Sequence, residues 1–296
     1  MNLFYIFGTS FLLSAFLIKI FLKYNLFQPH KDELKDIEKR NKLPTMGGIA
    51  IFSAVNLCFI QNISILLLAN AFALLGFIDD FLKLKQKRQN GWNKWFRILF
   101  EIIFAAIFVT YLIQLDSARN TIPIFSNLIG NFYLLNVFWG IFVIVASANA
   151  FNLTDGVDSL VSTLSIYALL FLIIQNTNNM FPVAIIFAIL GFLFFNWPNA
   201  KIIMGDIGAL GLGALVGGLF YQRNLELWLI LVGIVFVFET ISVILQIFYI
   251  RVLNSKLFLI APFHHHLEKK GWSRTNILLI FNAIAIISLI FASFFI

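Results

Sequence analysis

Charge is what this chain has least of. Only 12% of its 296 residues are charged, against about a quarter in soluble domains, while 60% are hydrophobic and the mean hydropathy is +0.92. So few charges argue against a soluble globular fold and make the bilayer the solvent. Cysteine is nearly absent: Cys58 alone excludes an intrachain disulfide and, set in an apolar run, reads as a packed apolar residue. No basic soluble stretch interleaved with aromatics occurs, so nucleic acid is not an expected partner despite a formal net charge of +7. Internal repeats are also missing. The first apolar run has no positive leading region and no convincing cleavage site, so it is read as a retained span.

Long apolar runs are plentiful. They cover residues 2–21, 45–60, 63–78, 98–115, 135–151, 160–174, 181–195, 207–221, 227–250 and 277–296. Each approaches the roughly 20 residues that cross hydrocarbon as a helix, the ninth with room for tilt or a break. The expected fold is therefore an all-α integral membrane protein, one polytopic domain over residues 1–296 with about ten transmembrane helices. An even number of spans puts both termini on one side. Of the 21 lysines and arginines, all but Arg119 and Arg223 fall on or beside the other side. The positive-inside rule makes that side cytoplasmic and leaves the termini on the outer, periplasmic or extracellular side. Trp92, Trp95, Trp197 and Trp272 lie in the same loops, as interfacial anchors do. The charged loop 31–40 (KDELKDIEKR) reads as a solvated helix or simple loop.

This topology sorts the carboxylates. Asp79, Asp80, Asp155, Asp158, Asp206 and Glu268 all fall at cytoplasmic span ends or in cytoplasmic loops, on four separate segments. Asp79 and Asp80 close an apolar run in GFIDDFLK (76–83). Neighbours on a helix point about 100° apart, so the two need not share a role; an ionisable pair near hydrocarbon is a functional-site hypothesis, with a solvated span end as the plain alternative. NAFNLTDGVD (149–158) packs amide, hydroxyl and carboxylate groups around Gly156. MGDIG (204–208) sets Asp206 at the start of a span among glycines, where an aspartate also serves as an ordinary helix cap. PFHHHLE (262–268) holds three of the four histidines. Consecutive histidines converge poorly on one zinc, whereas several carboxylates and amides suit magnesium, which usually also takes substrate phosphates. Lys83, Lys94, Arg97 and Lys201 supply cations nearby. Carboxylates, a divalent ion and cations together are what phosphoryl transfer requires. A transporter would more often place its acids near mid-membrane. Only Glu239 lies at that depth, where packing or hydrogen bonding is at least as good a role.

These stretches, with LPTMGG (43–48) and APFHHHLEKKGW (261–272), resemble the bacterial phospho-N-acetylmuramoyl-pentapeptide transferase family, within the polyprenyl-phosphate N-acetylhexosamine-1-phosphate transferases. Five motifs in the family's order span nearly the whole chain, and the PxHHHxE form is specific to the muramoyl-pentapeptide branch. The resemblance implies transfer of phospho-N-acetylmuramoyl-pentapeptide from its UDP carrier to undecaprenyl phosphate, giving lipid I and UMP, with Mg2+ as cofactor, in the bacterial cytoplasmic (inner) membrane. It also implies a cytoplasmic-face site. The partners are UDP-N-acetylmuramoyl-pentapeptide, undecaprenyl phosphate and the lipid bilayer, and a homodimer is a candidate assembly.

Carried over residue by residue, the resemblance makes Asp79, Asp80, Asp206 and His265 catalytic, with Asp79 favoured as base. Asp206, Asn152 and Asp155 become the metal set. Lys83, Arg97, Asn152, Asp155, Gly156, Val157, Asp158, Asn196, His264 and His266 become substrate-binding. The chain departs from the family pattern at Lys42 and Leu43, at Arg97 in place of lysine, at Ile203 in place of phenylalanine and at Ser159 in place of glycine. A sibling transferase using another UDP-N-acetylhexosamine is the nearest alternative, and a membrane transporter a more distant one.

Overall fold

The computed structural model describes residues 3–27, 43–58, 62–86, 91–115, 133–175 and 180–295. The charged loop 31–40, Lys42, Asp116 and Arg119 lie outside these residues. Those described form helices and connecting turns, with no strand beyond an isolated bridge between Phe27 and Pro44. The helices are α1 (Leu3–Lys23), α2 (Gly48–Cys58), α3 (Ile63–Gln86), α4 (Lys94–Leu115), α5 (Tyr133–Thr154), α6 (Leu160–Gln175), α7 (Met180–Asn196), α8 (Gly205–Gln222), α9 (Glu226–Val232), α10 (Ile234–Leu253), α11 (Phe263–Lys269) and α12 (Arg274–Ser293). Six of them, α1, α3, α4, α5, α10 and α12, are long and apolar enough to cross a membrane, and α2, α6 and α7 are shorter apolar helices.

The bundle is built around α8. Every residue of this helix except Asp206 and Gln222 is buried. Without help from water or lipid, helices associate by close packing, and glycine lets backbones approach. Along α8 the glycines do this on several sides. Gly208 meets Gly48 of α2, Gly211 lies against Phe52 and Ala73, and Gly213 and Gly217 lie against Ala148 and Ser147 of α5. From α3, Gly76 rests on the backbone carbonyl of Asp206, with no space for a methyl group. The outer helices carry exposed apolar side chains such as Phe16, Leu67, Ile107, Phe142 and Ile287, as a lipid-facing surface requires.

Local chemistry moves three helix boundaries away from the apolar runs. The second run begins as helix only at Gly48, because its first residues are used otherwise. Ile203 N donates to Pro44 O (2.8 Å), and Gly47 N and Gly48 N donate to Ile203 O and Met204 O, both at 2.9 Å. The third run continues past its apolar end to Gln86, so Asp79, Asp80 and Lys83 sit inside α3 instead of after it. Nothing in FLKLKQ breaks a helix, and long straight-chain residues favour one. The ninth run is broken at Gly233, between α9 and α10.

Gly76→Ala should overpack the α3–α8 crossing and cost about 1–3 kcal/mol, read as a lower thermal unfolding midpoint in detergent micelles. Gly8→Ala, which meets nothing within 4 Å, should leave the midpoint unchanged or raise it.

Candidate active site

Contacts between helices gather the C-terminal ends of α3, α5 and α7 and the N-terminal ends of α4, α6 and α8. There the ammonium of Lys83 joins two helices. Its Nζ lies 2.7 Å from Asp79 Oδ2, one turn back on α3, and 2.9 Å from Asp206 Oδ2 on α8. Asp80 Oδ1 stands 3.9 Å away. Helical spacing explains the first and last contacts, since residues three and four apart share a face. The α3–α8 crossing at Gly76 explains the second.

The two aspartates of α3 do separate work. Asp79 Oδ1 accepts a 2.6 Å hydrogen bond from Trp92 N, which ties the turn before α4 to the site, and Gly91 packs directly on the same carboxylate. Asp80 accepts from Ile207 N at 3.3 Å, satisfying one of the orphan N–H groups that begin α8. It is Asp80, not Asp206, that supplies a side-chain acceptor at this helix start, and a carboxylate there also suits the helix dipole. The first residue of α8, Gly205, has φ +75° and lies against Asp80 Oδ2, a conformation and a proximity that favour glycine. Asp206 is thereby free to face Lys83 and Arg97, whose Nη1 stands 3.5 Å from its Oδ2.

Arg97 is itself held from behind. Its Nε lies 3.3 Å from Glu101 Oε1, and its Nη2 donates to Asn149 Oδ1 at 3.4 Å. Asn149 closes the group by donating to Glu101 Oε2 at 2.6 Å and to Val145 O at 2.9 Å. Sequence reasoning gave Glu101 and Asn149 no role; the signal available was an acid four residues beyond Arg97 inside an apolar run.

The 152–160 turn is pinned to the opposite loop. Ser159 N donates to Asn196 Oδ1 (2.9 Å), Ser159 Oγ donates to Asn196 O (2.6 Å), and Asn196 Nδ2 donates to Ile202 O (2.9 Å). Asn196 is thus a buried clamp between two loops. Ser159 has φ +69°, a region where glycine fits best; its two bonds to Asn196 accompany that conformation. Asp158 Oδ2 accepts from Ala200 N at 3.4 Å, and Val157 is buried. Asn152 lies in the last turn of α5 and Asp155 in the turn that follows it.

Each histidine of α11 meets a different partner, as consecutive helical residues must. His264 lies against Glu239 of α10, His265 Nδ1 is 2.7 Å from Glu268 Oε2, and His266 Nδ1 accepts from Leu259 N at 3.1 Å. Arg274 Nε donates to the other oxygen of Glu268 at 2.6 Å. Gln246 fastens the loop before α11 to α10, donating to Phe258 O (3.0 Å) and accepting from Phe258 N (2.8 Å). Burial and the charge of Lys270 push His266 below its ordinary range. For Glu268, burial opposes ionisation, but the His265 hydrogen bond and the charge of Arg274 prevail and hold its carboxyl at about 2.

Carboxylate oxygens are the ligand type a hard cation takes. Asp79, Asp80, Asp206 and Glu101 exceed Lys83 and Arg97 in formal charge, and the buried Asp80 Oδ1 has no hydrogen-bond partner. Among the described residues, no three His, Cys, Asp or Glu side chains stand in metal-holding geometry; the Lys83 ammonium lies where the carboxylates meet. A cavity of about 280 Å³ opens between α5, α9 and α10, lined by Phe142, Val143, Phe151, Leu229, Phe236 and Ile241 among others.

Comparison with known proteins finds relatives over most of the chain. The family described as "Glycosyl transferase family 4" matches residues 62–223, which include Lys83, Asp79, Asp80, Asp206 and the 149–158 segment. The phospho-N-acetylmuramoyl-pentapeptide-transferase of Wolbachia sp. subsp. Drosophila simulans (strain wRi) is 39% identical, covering 97% of this chain and 96% of its own. The protein of the same name from Pelagibacter ubique (strain HTCC1062) is 36% identical over 91% of this chain and 84% of its own. That of Petrotoga mobilis (strain DSM 10674 / SJ95) is 34% identical over 97% and 96%.

The Glu268 carboxyl should leave a signature in acid. Its folded value lies below its ordinary value of 4.5, so the unfolded chain binds the proton more readily. Its stabilising contribution is full above pH 4.5 and is lost as pH falls through about 2. The difference in unfolding midpoint between wild type and Glu268→Gln should therefore shrink as pH falls through that window.

Proposed function

The chain belongs to the phospho-N-acetylmuramoyl-pentapeptide-transferase family, and from this we infer that it carries phospho-N-acetylmuramoyl-pentapeptide from UDP-N-acetylmuramoyl-pentapeptide to undecaprenyl phosphate. Lipid I and UMP are the products, and the reaction belongs to peptidoglycan synthesis at the bacterial cytoplasmic membrane. In this reading the ten apolar runs make ten spans, with the termini outside and the Lys83 cluster on the cytoplasmic face. A phosphorus–oxygen bond to UMP breaks and one to the lipid phosphate forms.

The observation that carries the reading is the meeting of Asp79, Asp80, Asp206, Lys83 and Arg97 at one end of an otherwise apolar bundle. Phosphoryl transfer depends on positioning and on offsetting negative charge. Lys83 and Arg97 provide fixed cations for anionic substrates. Asp79, held by the Trp92 N–H and by Lys83, is our choice of base toward the lipid phosphate, while Asp80 positions α8. His264, His265 and His266, with Asn152, Gly156, Val157, Asp158 and Asn196, form or support the nucleotide and sugar side. Asp206, Asn152 and Asp155 would hold Mg2+, which supplies charge neutralisation of the diphosphate when bound. The cavity between α5, α9 and α10 is lined mostly by apolar side chains, which suits a polyprenyl chain.

Purified protein given magnesium, undecaprenyl phosphate and UDP-N-acetylmuramoyl-pentapeptide should release UMP. Release only with UDP-N-acetylglucosamine would move the assignment to a sibling enzyme. Asp206→Asn should lower turnover by at least about 10²-fold while the protein keeps its unfolding midpoint; near-normal turnover would remove Asp206 from the site.

A further inference from the structure

Glu101 is a fully buried carboxylate inside the apolar helix α4, and no part of the reaction described above is assigned to it. Its Oε1 lies 3.3 Å from Arg97 Nε, one turn back on the same helix. Both atoms are buried and neither has a hydrogen-bond partner among the described residues, so each relies on that ion pair. The other oxygen, Oε2, accepts from Asn149 Nδ2 at 2.6 Å, and Asn149 Oδ1 accepts in turn from Arg97 Nη2 at 3.4 Å. Glu101 thus reaches the guanidinium twice, directly and through Asn149 of α5. The third guanidinium nitrogen, Nη1, stands 3.5 Å from Asp206 Oδ2 on α8.

Stability alone is a poor account of this carboxylate. A buried ion pair seldom stabilises more than apolar residues of similar volume would, and an acid four residues after its base is the weaker order along a helix. What the arrangement does supply is direction. We propose that Glu101 is a positioning residue: with Asn149 it fixes the plane of the Arg97 guanidinium, so that Nη1 is held toward Asp206 and the cation meets the substrate diphosphate already oriented. Guanidinium N–H groups form a rigid fork, so holding Nε and Nη2 determines where Nη1 points. An amide both accepts and donates, which lets Asn149 tie the base to the acid with one side chain. The fork also makes arginine necessary. A lysine ammonium is a single point and would not be held in one plane by acceptors on α4, α5 and α8. Orientation of this kind bears on rate, since a misplacement of about 1 Å costs about 10²-fold. The inference rests on the transferase reading for the identity of the anion, but not for the orientation of Arg97.

The test is a double-mutant cycle on the full-length protein in lipid nanodiscs, read by UMP release, together with NMR of 15N-arginine-labelled protein. Glu101→Gln keeps the shape and loses the charge, and should lower kcat/KM for the nucleotide substrate about 10²-fold. Arg97→Lys should do the same. The double variant should be no worse than Arg97→Lys, because Glu101 acts only through the guanidinium. Unchanged kcat/KM in Glu101→Gln, or losses that multiply in the double variant, would overturn the proposal. In the spectrum, the Arg97 Nε–H is assigned as the resonance lost in Arg97→Lys. It should lie downfield of exposed arginines in wild type, as a charge-assisted contact requires, and move back in Glu101→Gln. A wild-type resonance among those of exposed arginines, or one unmoved by Glu101→Gln, would also overturn the proposal. Should Glu101→Gln not fold, Asn149→Ala takes its place in the cycle and in the spectrum, with the same outcomes deciding. Absence of UMP release by wild type would overturn the transferase reading, while the spectrum would still decide whether Glu101 holds Arg97.

Discussion

One ammonium group holds this site together. Lys83 stands between Asp79 and Asp206 at 2.7 and 2.9 Å, with Asp80 just beyond. Without a cation there, three carboxylates brought this close in a low-dielectric bundle would repel, and burying them would cost several kcal/mol each. The approach of α3 to α8 depends on that neutralisation as much as the neutralisation depends on the approach. Gly76 and Gly205 supply the steric half of the arrangement, since neither backbone could come as near with a side chain in the way. The result is a cluster of fixed opposite charges at the end of an otherwise apolar bundle, and preorganised charge of this kind is the condition under which electrostatic catalysis is most effective.

Around that centre, polar side chains do what water would do in a soluble protein. Glu101 and Asn149 hold Arg97, Asn196 holds the turn at Ser159 against the loop at Ile202, and Gln246 and Glu239 hold α11 and its preceding loop to α10. Each lies on a helix and reaches toward a loop or a functional side chain. A transmembrane helix satisfies its own backbone, so the polar groups inside the bundle are free to fasten the irregular segments at its end. Rigid elements carrying the supports of a site fix it more closely than loops alone.

Much of the site was legible from residue types and topology. Asp79, Asp80 and Asp206 stand out in the sequence as acids beside apolar runs, and the structure brings all three together around Lys83. The supports were less legible. Glu101 and Glu239 were visible only as acids inside apolar runs, with nothing local to say whether they pack, pair or orient. The division of labour between Asp80 and Asp206 was hidden for a related reason: MGDIG offers Asp206 as the local cap, but a carboxylate from another helix does that job.

The sequence by itself determined the apolar helices and the inventory of polar residues set beside them, because bilayer thickness and the cost of buried charge act on the chain one segment at a time. Only the tertiary structure decided which helix meets which. It placed Lys83 between α3 and α8, turned Asp206 away from its own helix start, and gave each histidine its own partner. Those outcomes depend on glycine contacts between segments as distant as Gly76 and Asp206, and no local rule of spacing contains them.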